Sequence, residues 1–247
     1  KPATRQEYCK DLDVENIGDA VAYPSNALSI GLVRELDLVV ELARAYNNWA
    51  YDFCKSSGNR VKYAAVIAPQ VVPEAVKEIR RSVQELGAVA VMVPTYVQSG
   101  MDLGQPEFDP IYAEAQELGV PIGFHATAQV SQGNWRFHKY LGVHMTSHPF
   151  EQMLTIVAII SNGVLDRFPK LKVAFLEAGV GWLPYWMERF DEKYLRRKSE
   201  MEPLKMLPSE YVKNDRCYFT CEGEESALPL VIEQFGDQCM MYASDYP

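Results

Sequence analysis

The sequence predicts an α/β fold, a (β/α)₈ TIM barrel formed by one domain over residues 1–247, and three observations support this prediction. Short apolar runs alternate with amphipathic stretches, and no linker rich in serine or glycine separates them. Repeated strand–helix–strand units require parallel strands, because each crossover returns the chain to the same end of the sheet. Polar residues stand at the carboxyl ends of several predicted strands, which is where a barrel builds its site.

Seven runs rich in β-branched, aromatic or small apolar residues are predicted to form strands. In chain order they are Asp19–Pro24, Tyr63–Pro69, Ala88–Pro94, Pro121–Thr127, Lys172–Ala178, Cys217–Glu222 and Cys239–Asp245. Amphipathic stretches fill the gaps between them and are predicted to be helices. These are Ile30–Lys55, Pro73–Leu86, Pro106–Leu118, Phe150–Asn162, Trp182–Arg197 and Glu225–Phe235.

The position of the polar residues favours a barrel over a doubly wound sheet. Several predicted strands contain an apolar or small run that ends in an ionisable residue at or near the end of the strand, namely His125, Glu177, Glu222 or Asp245. A dinucleotide-binding fold would instead need Gly-x-Gly-x-x-Gly after an early strand. The nearest match, Gly179–Gly181, follows a late strand and lacks the third glycine.

Composition excludes several classes of protein. With 48% hydrophobic and 23% charged residues, the 247-residue chain resembles a globular protein with a full core. No apolar run approaches the ~18–20 residues of a membrane-spanning helix. The net charge of −9 argues against a nucleic-acid partner. The five cysteines are odd in number and include a poorly spaced Cys217–Cys221 pair, which favours a reduced, cytoplasmic location.

Two residues at predicted strand ends suggest a metal centre. Of the four histidines, only His125 lies at the carboxyl end of a predicted strand. Asp245 closes another, and a carboxylate there needs a partner or a metal ion. Imidazole and carboxylate together suit one divalent ion, Zn²⁺ or Mn²⁺. The alternatives are a hydrogen-bonded structural histidine and an aspartate that caps a helix.

Four stretches of the sequence resemble the amidohydrolase-related metal-dependent hydrolase family, in the branch of aminocarboxymuconate semialdehyde and resorcylate-type decarboxylases. They are residues 119–125, 162–173, 175–184 and 243–247. The resemblance implies a (β/α)₈ barrel with one metal ion. It also implies that His125 is the ligand on the fifth barrel strand, and that Asp245 on the eighth is both a ligand and a proton shuttle.

The chain departs from the family pattern in two ways. Members of the family carry a His-x-His or Glu-x-His pair on strand one, so we expect this chain to lack strand one and the C-terminal helices. The edges of the sheet would then be Asp19–Pro24 and Cys239–Asp245. At strand six the decarboxylases carry a histidine, where this chain has Glu177. This second departure favours hydrolysis over decarboxylation.

Glu177 is predicted to act as a general acid or base, with its pKa raised by a dry barrel mouth. The alternative is a partner that orients a metal ligand. The segment Ala128–His148 is predicted to be a long loop, in which Arg136 and His138 bind a carboxylated ring. The alternative is that Arg136 and His138 only pack within the loop or against another subunit. His148 is interpreted as the structural start of a helix.

These observations predict a metal-dependent hydrolase that acts on a small, cyclic or aromatic carboxylated substrate. The alternatives are a non-oxidative decarboxylase of an aromatic or unsaturated acid, and a catalytically silent barrel that serves as a binding module. The sequence leaves the substrate and the oligomeric state open, including a homo-oligomer.

Overall fold

A sheet of seven parallel strands forms the centre of the structure, a computed structural model that describes residues 4–55, 57–97, 100, 102–127, 134–201 and 203–245. The order of the strands in the sheet follows the chain. The strands are β1 (Ala20–Ala22), β2 (Val61–Val66), β3 (Ala90–Pro94), β4 (Ile122–His125), β5 (Val173–Leu176), β6 (Cys217–Cys221) and β7 (Met240–Tyr242). All seven predicted strands are therefore present, and each is shorter than predicted.

The edges of the sheet are β1 and β7, as expected. Among the described residues before β1, Arg5–Val14 form a helix, α1, and none forms a further strand. Its start is fixed by a capping box, in which the Thr4 hydroxyl accepts from the Glu7 amide and the Glu7 carboxylate accepts from the Thr4 amide. The prediction of a parallel (β/α) barrel architecture is confirmed.

The remaining helices surround the sheet. They are α2 (Leu36–Cys54), α3 (Val72–Gln84), α4 (Asp109–Leu118), α5 (Tyr140–Ser161), α6 (Val164–Arg167), α7 (Leu183–Arg196), α8 (Pro208–Lys213) and α9 (Leu228–Phe235). Short 3₁₀ turns cover Asn26–Leu32, Pro106–Phe108, Asn134–Arg136 and Lys198–Glu200. Within the described ranges, no helix combines the length and the apolar character needed to cross a membrane.

Helix α5 begins well before the position predicted from the sequence. The pattern placed its start at Phe150, because Pro149 is a typical helix boundary, but Pro149 lies inside the helix. A proline there removes one backbone hydrogen bond, a loss of about 3 kcal/mol in an isolated helix. Burial of Ile156, Ile159 and Ile160 offsets that loss. The predicted loop Ala128–His148 is therefore helical from Tyr140, and residues 128–133 lie outside the described residues.

Alternate residues of β4 face opposite sides of the sheet, and this alternation determines which side His125 faces. Ile122 and Phe124 belong to the apolar cluster between sheet and helices, where Phe124 stacks on Phe175 of β5 at 5.7 Å between ring centroids. Gly123 and His125 have the other parity and face the barrel interior. The carboxyl end of β4 therefore presents an imidazole on the inner side.

Candidate functional site

Two histidines and a glutamate meet at the carboxyl end of the sheet. His125 is the last residue of β4, Glu177 directly follows β5, and His148 lies on α5. Each offers one ligand atom, and these three atoms lie within 4.8 Å of one another. Both imidazoles are buried, whereas the Glu177 side chain is 39% exposed. The two imidazoles of the cluster are thus shielded from solvent, whereas the side of the cluster formed by Glu177 is accessible to solvent.

The His125 ring is oriented by a neighbouring backbone carbonyl. Its Nδ1 lies 2.9 Å from the Ala126 oxygen, which can only accept, so Nδ1 carries a proton. Its Nε2 lies 2.8 Å from Glu177 Oε2. The carbonyl therefore fixes the ring so that Nε2 points into the cluster, the arrangement typical of metal-binding histidines.

His148 is the member of the cluster that sequence reasoning missed. Its Nδ1 lies 3.0 Å from Ser147 Oγ, and its Nε2 lies 3.5 Å from Glu177 Oε1. Burial lowers the pKa of His148, and this effect outweighs the opposing charge of Glu177. The imidazole is therefore neutral near pH 7 and keeps a lone pair that can bind a metal ion. The interpretation of His148 as a structural helix start is wrong.

Glu177 occupies a strained backbone position. Its φ is +57°, and the other four non-glycine residues with positive φ in the described part of the chain are Asn or Asp, which tolerate this region better. The Glu177 amide donates to Thr220 Oγ1 at 2.7 Å, which stabilises the turn. Strain of about 1–3 kcal/mol held by surrounding contacts is characteristic of functional positions.

The pKa of Glu177 lies below its ordinary value, contrary to the prediction that it is raised. Burial alone raises it, as expected, but the hydrogen bond with His125 and the attraction of the carboxylate to His125 and His148 in their protonated forms outweigh burial. The carboxylate is therefore ionised near neutral pH, which suits a base or a ligand better than an acid.

Asp245 lies at the same end of the sheet, three residues after β7, with an exposed side chain. Its charge raises the pKa of His148, which places it within electrostatic reach of the cluster. Arg136 and His138 are exposed near the start of α5, and the Arg136 guanidinium lies over the Trp135 ring at 5.4 Å. The catalytic, metal-binding and substrate-binding roles of these residues stay predictions.

The cysteines lie apart from this chemistry. All five are free, and Cys217 and Cys221 are buried on β6. Burial raises the pKa of the Cys217 thiol to about 12 and also raises that of Cys221. Both are therefore protonated core residues.

Gly123 leaves room for the Tyr23 ring beside His125. Tyr23 follows β1, and its hydroxyl reaches across to β4, 2.5 Å from where a Cβ on Gly123 would lie. The Tyr23 and His125 ring centroids are 6.4 Å apart. Any side chain larger than hydrogen at residue 123 must therefore displace a ring next to the site.

We expect Gly123→Ala to lower the free energy of unfolding by about 1–3 kcal/mol, because the methyl group overpacks this space. Gly18→Ala is the matched control, since no atom lies within 4 Å of the added Cβ. It should change stability by less than about 0.5 kcal/mol. Urea denaturation measures both, and equal midpoints for the two variants would contradict the close contact with Tyr23.

Comparison with known proteins agrees with this architecture. A sequence model of the amidohydrolase family matches residues 2–247. The chain is 26% identical to 2-amino-3-carboxymuconate-6-semialdehyde decarboxylase of Dictyostelium discoideum, covering 84% of this chain and 57% of that protein. It is 24% identical to gamma-resorcylate decarboxylase of Rhizobium sp. (strain MTP-10005), covering 90% and 70% respectively. The chain thus spans little more than half the length of the first of these relatives.

A solved structure shares the fold. The dihydroxybenzoic acid decarboxylase of Polaromonas sp. JS666, determined with bound manganese and the inhibitor 2-nitroresorcinol, superposes with a TM-score of 0.81. The two sequences are 22% identical, and the superposition covers 97% of this chain and 74% of that one.

Proposed function

The chain belongs to the amidohydrolase family, and from this membership we propose that the protein is a metal-dependent carboxy-lyase acting on a small aromatic or unsaturated carboxylic acid. The observation that carries the proposal is the cluster of His125, His148 and Glu177 at the carboxyl end of the strands. The decarboxylase names of the two relatives support this reaction over the hydrolysis that the sequence favoured.

The donor set fits one divalent ion. We assign His125, His148 and Asp245 as the residues that would hold it. Neither imidazole Nε2 pairs with a backbone group of the described residues, and Asp245 adds a carboxylate at the same end. Nitrogen and oxygen donors of this kind suit Mn²⁺ or Zn²⁺, and the manganese of the solved relative supports the former. A bound ion supplies Lewis-acid chemistry toward the substrate carboxylate.

Glu177 and Asp245 are assigned the proton transfers. On a hydroxybenzoate, ionised Glu177 accepts the phenolic proton, and the Asp245 carboxyl group passes a proton to the ring carbon that bears the carboxylate. The bond from that carbon to the carboxylate then breaks, its electron pair restores the aromatic ring, and CO₂ leaves. Glu177 returns its proton to the phenolate oxygen, and Asp245 recovers one from solvent, so the reaction consumes one proton in total.

The substrate is a small molecule, and Arg136 and His138 are proposed to contact it. Their side chains are exposed near the start of α5, the helix that carries His148. A guanidinium held over Trp135 can bind a carboxylate while the indole packs against an aromatic ring.

Hydrolysis of a small cyclic ester, lactone or amide is the second candidate. It is favoured by the lowered pKa of Glu177, because a carboxylate that stays ionised can take a proton from an attacking water molecule. In this reaction Glu177 would accept a proton from water instead of from the phenolic hydroxyl.

Product analysis separates the two reactions. The full-length protein, loaded with Mn²⁺, is incubated in D₂O with hydroxybenzoates labelled with ¹³C in the carboxyl group, and separately with lactones in a pH-stat. We expect labelled CO₂ and one deuterium at the carbon that carried the carboxylate. Acid release from lactones without CO₂ would replace decarboxylation by hydrolysis, and inactivity toward both classes would contradict both proposals.

A further inference from the structure

Gln152 lies one helical turn after His148 on α5, and its side chain is fully buried. Its Nε2 donates two hydrogen bonds, one to the Phe124 oxygen at 2.8 Å and one to the Leu176 oxygen at 2.9 Å. A single side-chain amide therefore joins α5 to the ends of two neighbouring strands.

The two carbonyl groups that accept from Gln152 directly precede two residues of the cluster. The Phe124 carbonyl belongs to the peptide unit that leads into His125, and the Leu176 carbonyl belongs to the unit that leads into Glu177. Because a peptide unit is planar and rigid, fixing its oxygen also restrains the next Cα. Gln152 thus restrains His125 and Glu177 through their backbones, and His148 through the helix that it shares.

The amide oxygen of Gln152 does not contribute a hydrogen bond to this arrangement. Its Oε1 is buried and accepts no hydrogen bond from any described residue. An unpaired buried acceptor destabilises a protein by about 1–3 kcal/mol. A methionine would fill the same space without this unpaired oxygen, but the Phe124 and Leu176 carbonyls would then lose their side-chain donor. The contribution of Gln152 therefore lies in its two contacts with the strand ends.

We propose that Gln152 is a positioning residue, which holds the assigned ligands His125 and His148 at the spacing needed to bind the metal ion and keeps the proton acceptor Glu177 beside them. The inference rests on the proposed function, since it concerns the same metal centre. Loss of the amide should let α5 and the two strand ends shift independently, and the ligand atoms would then no longer lie within one coordination sphere.

Asn47 provides a matched control on the other side of the fold. It is a fully buried amide on α2, and its Nδ2 donates to the Val66 oxygen at 2.8 Å while its Oδ1 accepts from the Val66 amide at 2.8 Å. Its Nδ2 also donates to Glu78 Oε1 at 2.7 Å. It therefore joins a helix to a strand end in the same manner, but that strand, β2, contributes none of the three clustered side chains.

The test compares Gln152→Met with Asn47→Leu in the full-length protein, using Mn²⁺ titration by calorimetry and thermal unfolding without metal. We expect Gln152→Met to weaken Mn²⁺ binding roughly 10–100-fold, the effect typical of residues that orient metal ligands. Asn47→Leu should lower the unfolding temperature at least as much and keep Mn²⁺ affinity within about threefold of the parent, because it lies away from the ligands. If Gln152→Met does not fold, Gln152→Asn, which keeps the amide but shortens its reach, replaces it with the same expectation.

Unchanged affinity in the Gln152 variant, or an equal loss in both variants, would overturn the positioning role and leave the metal centre in place. A parent protein that binds no Mn²⁺ is a different result. It would overturn the proposed function and, with it, the role assigned to Gln152.

Discussion

His125→Ala is expected to remove bound metal and activity together from the full-length protein. Its Nε2 is directed into the cluster by the Nδ1 hydrogen bond to the Ala126 carbonyl, and the ring is buried. A catalytic metal site of this kind relies on about three protein ligands, and loss of one therefore removes a large share of the binding energy. We expect metal affinity to fall more than about 100-fold and turnover to fall with it.

Elemental analysis after dialysis measures the metal content, and circular dichroism confirms that the variant is folded. His138→Ala is the matched control, because this imidazole is exposed and is assigned to the substrate rather than to the metal. It should keep the metal even if KM rises. A His125→Ala protein with full metal content would show that His125 is not a ligand.

The parts of the site on strand ends could be predicted from the sequence. His125 and Glu177 each follow an apolar run, and parallel strands place their carboxyl ends at one edge, so their proximity follows from the pattern. The seven strands were found for the same reason, since fully buried parallel strands form continuous apolar runs. The ends of these runs are less well defined, because the backbone pairing of short strands stops before the apolar pattern does.

The contributions of α5 could not be predicted in this way. Pro149 signals a helix boundary locally, and only packing of the later turns against the sheet overrides that signal. The position of His148 beside the strand ends therefore does not follow from the local sequence. In the sequence, Gln152 is only a polar residue within an apolar helix. Its two acceptors, the Phe124 and Leu176 carbonyls, are distant in sequence, so the local pattern does not reveal them. The direction of the Glu177 pKa shift also depends on His125 and His148 as neighbours, which a strand-end pattern does not reveal.

Glu177→Gln is expected to retain the metal while lowering kcat by about 10²–10⁴-fold, the usual contribution of a general acid or base. The amide has nearly the shape of the carboxylate but cannot accept a proton from the substrate. The assigned ligands His125, His148 and Asp245 all remain in this variant, so metal content should stay near that of the parent.

Glu74→Gln is the matched control for charge, because that side chain is 37% exposed on α3, close to the 39% of Glu177, and pairs with Lys77 away from the cluster. It should leave kcat and metal content unchanged. Stopped-flow or steady-state kinetics with metal analysis on the same samples distinguishes three results. Slow turnover with bound metal supports proton transfer by Glu177, and unchanged kcat contradicts it. Loss of metal would instead make Glu177 a ligand, since its carboxylate already lies 2.8 Å from the His125 Nε2 that faces the ion site.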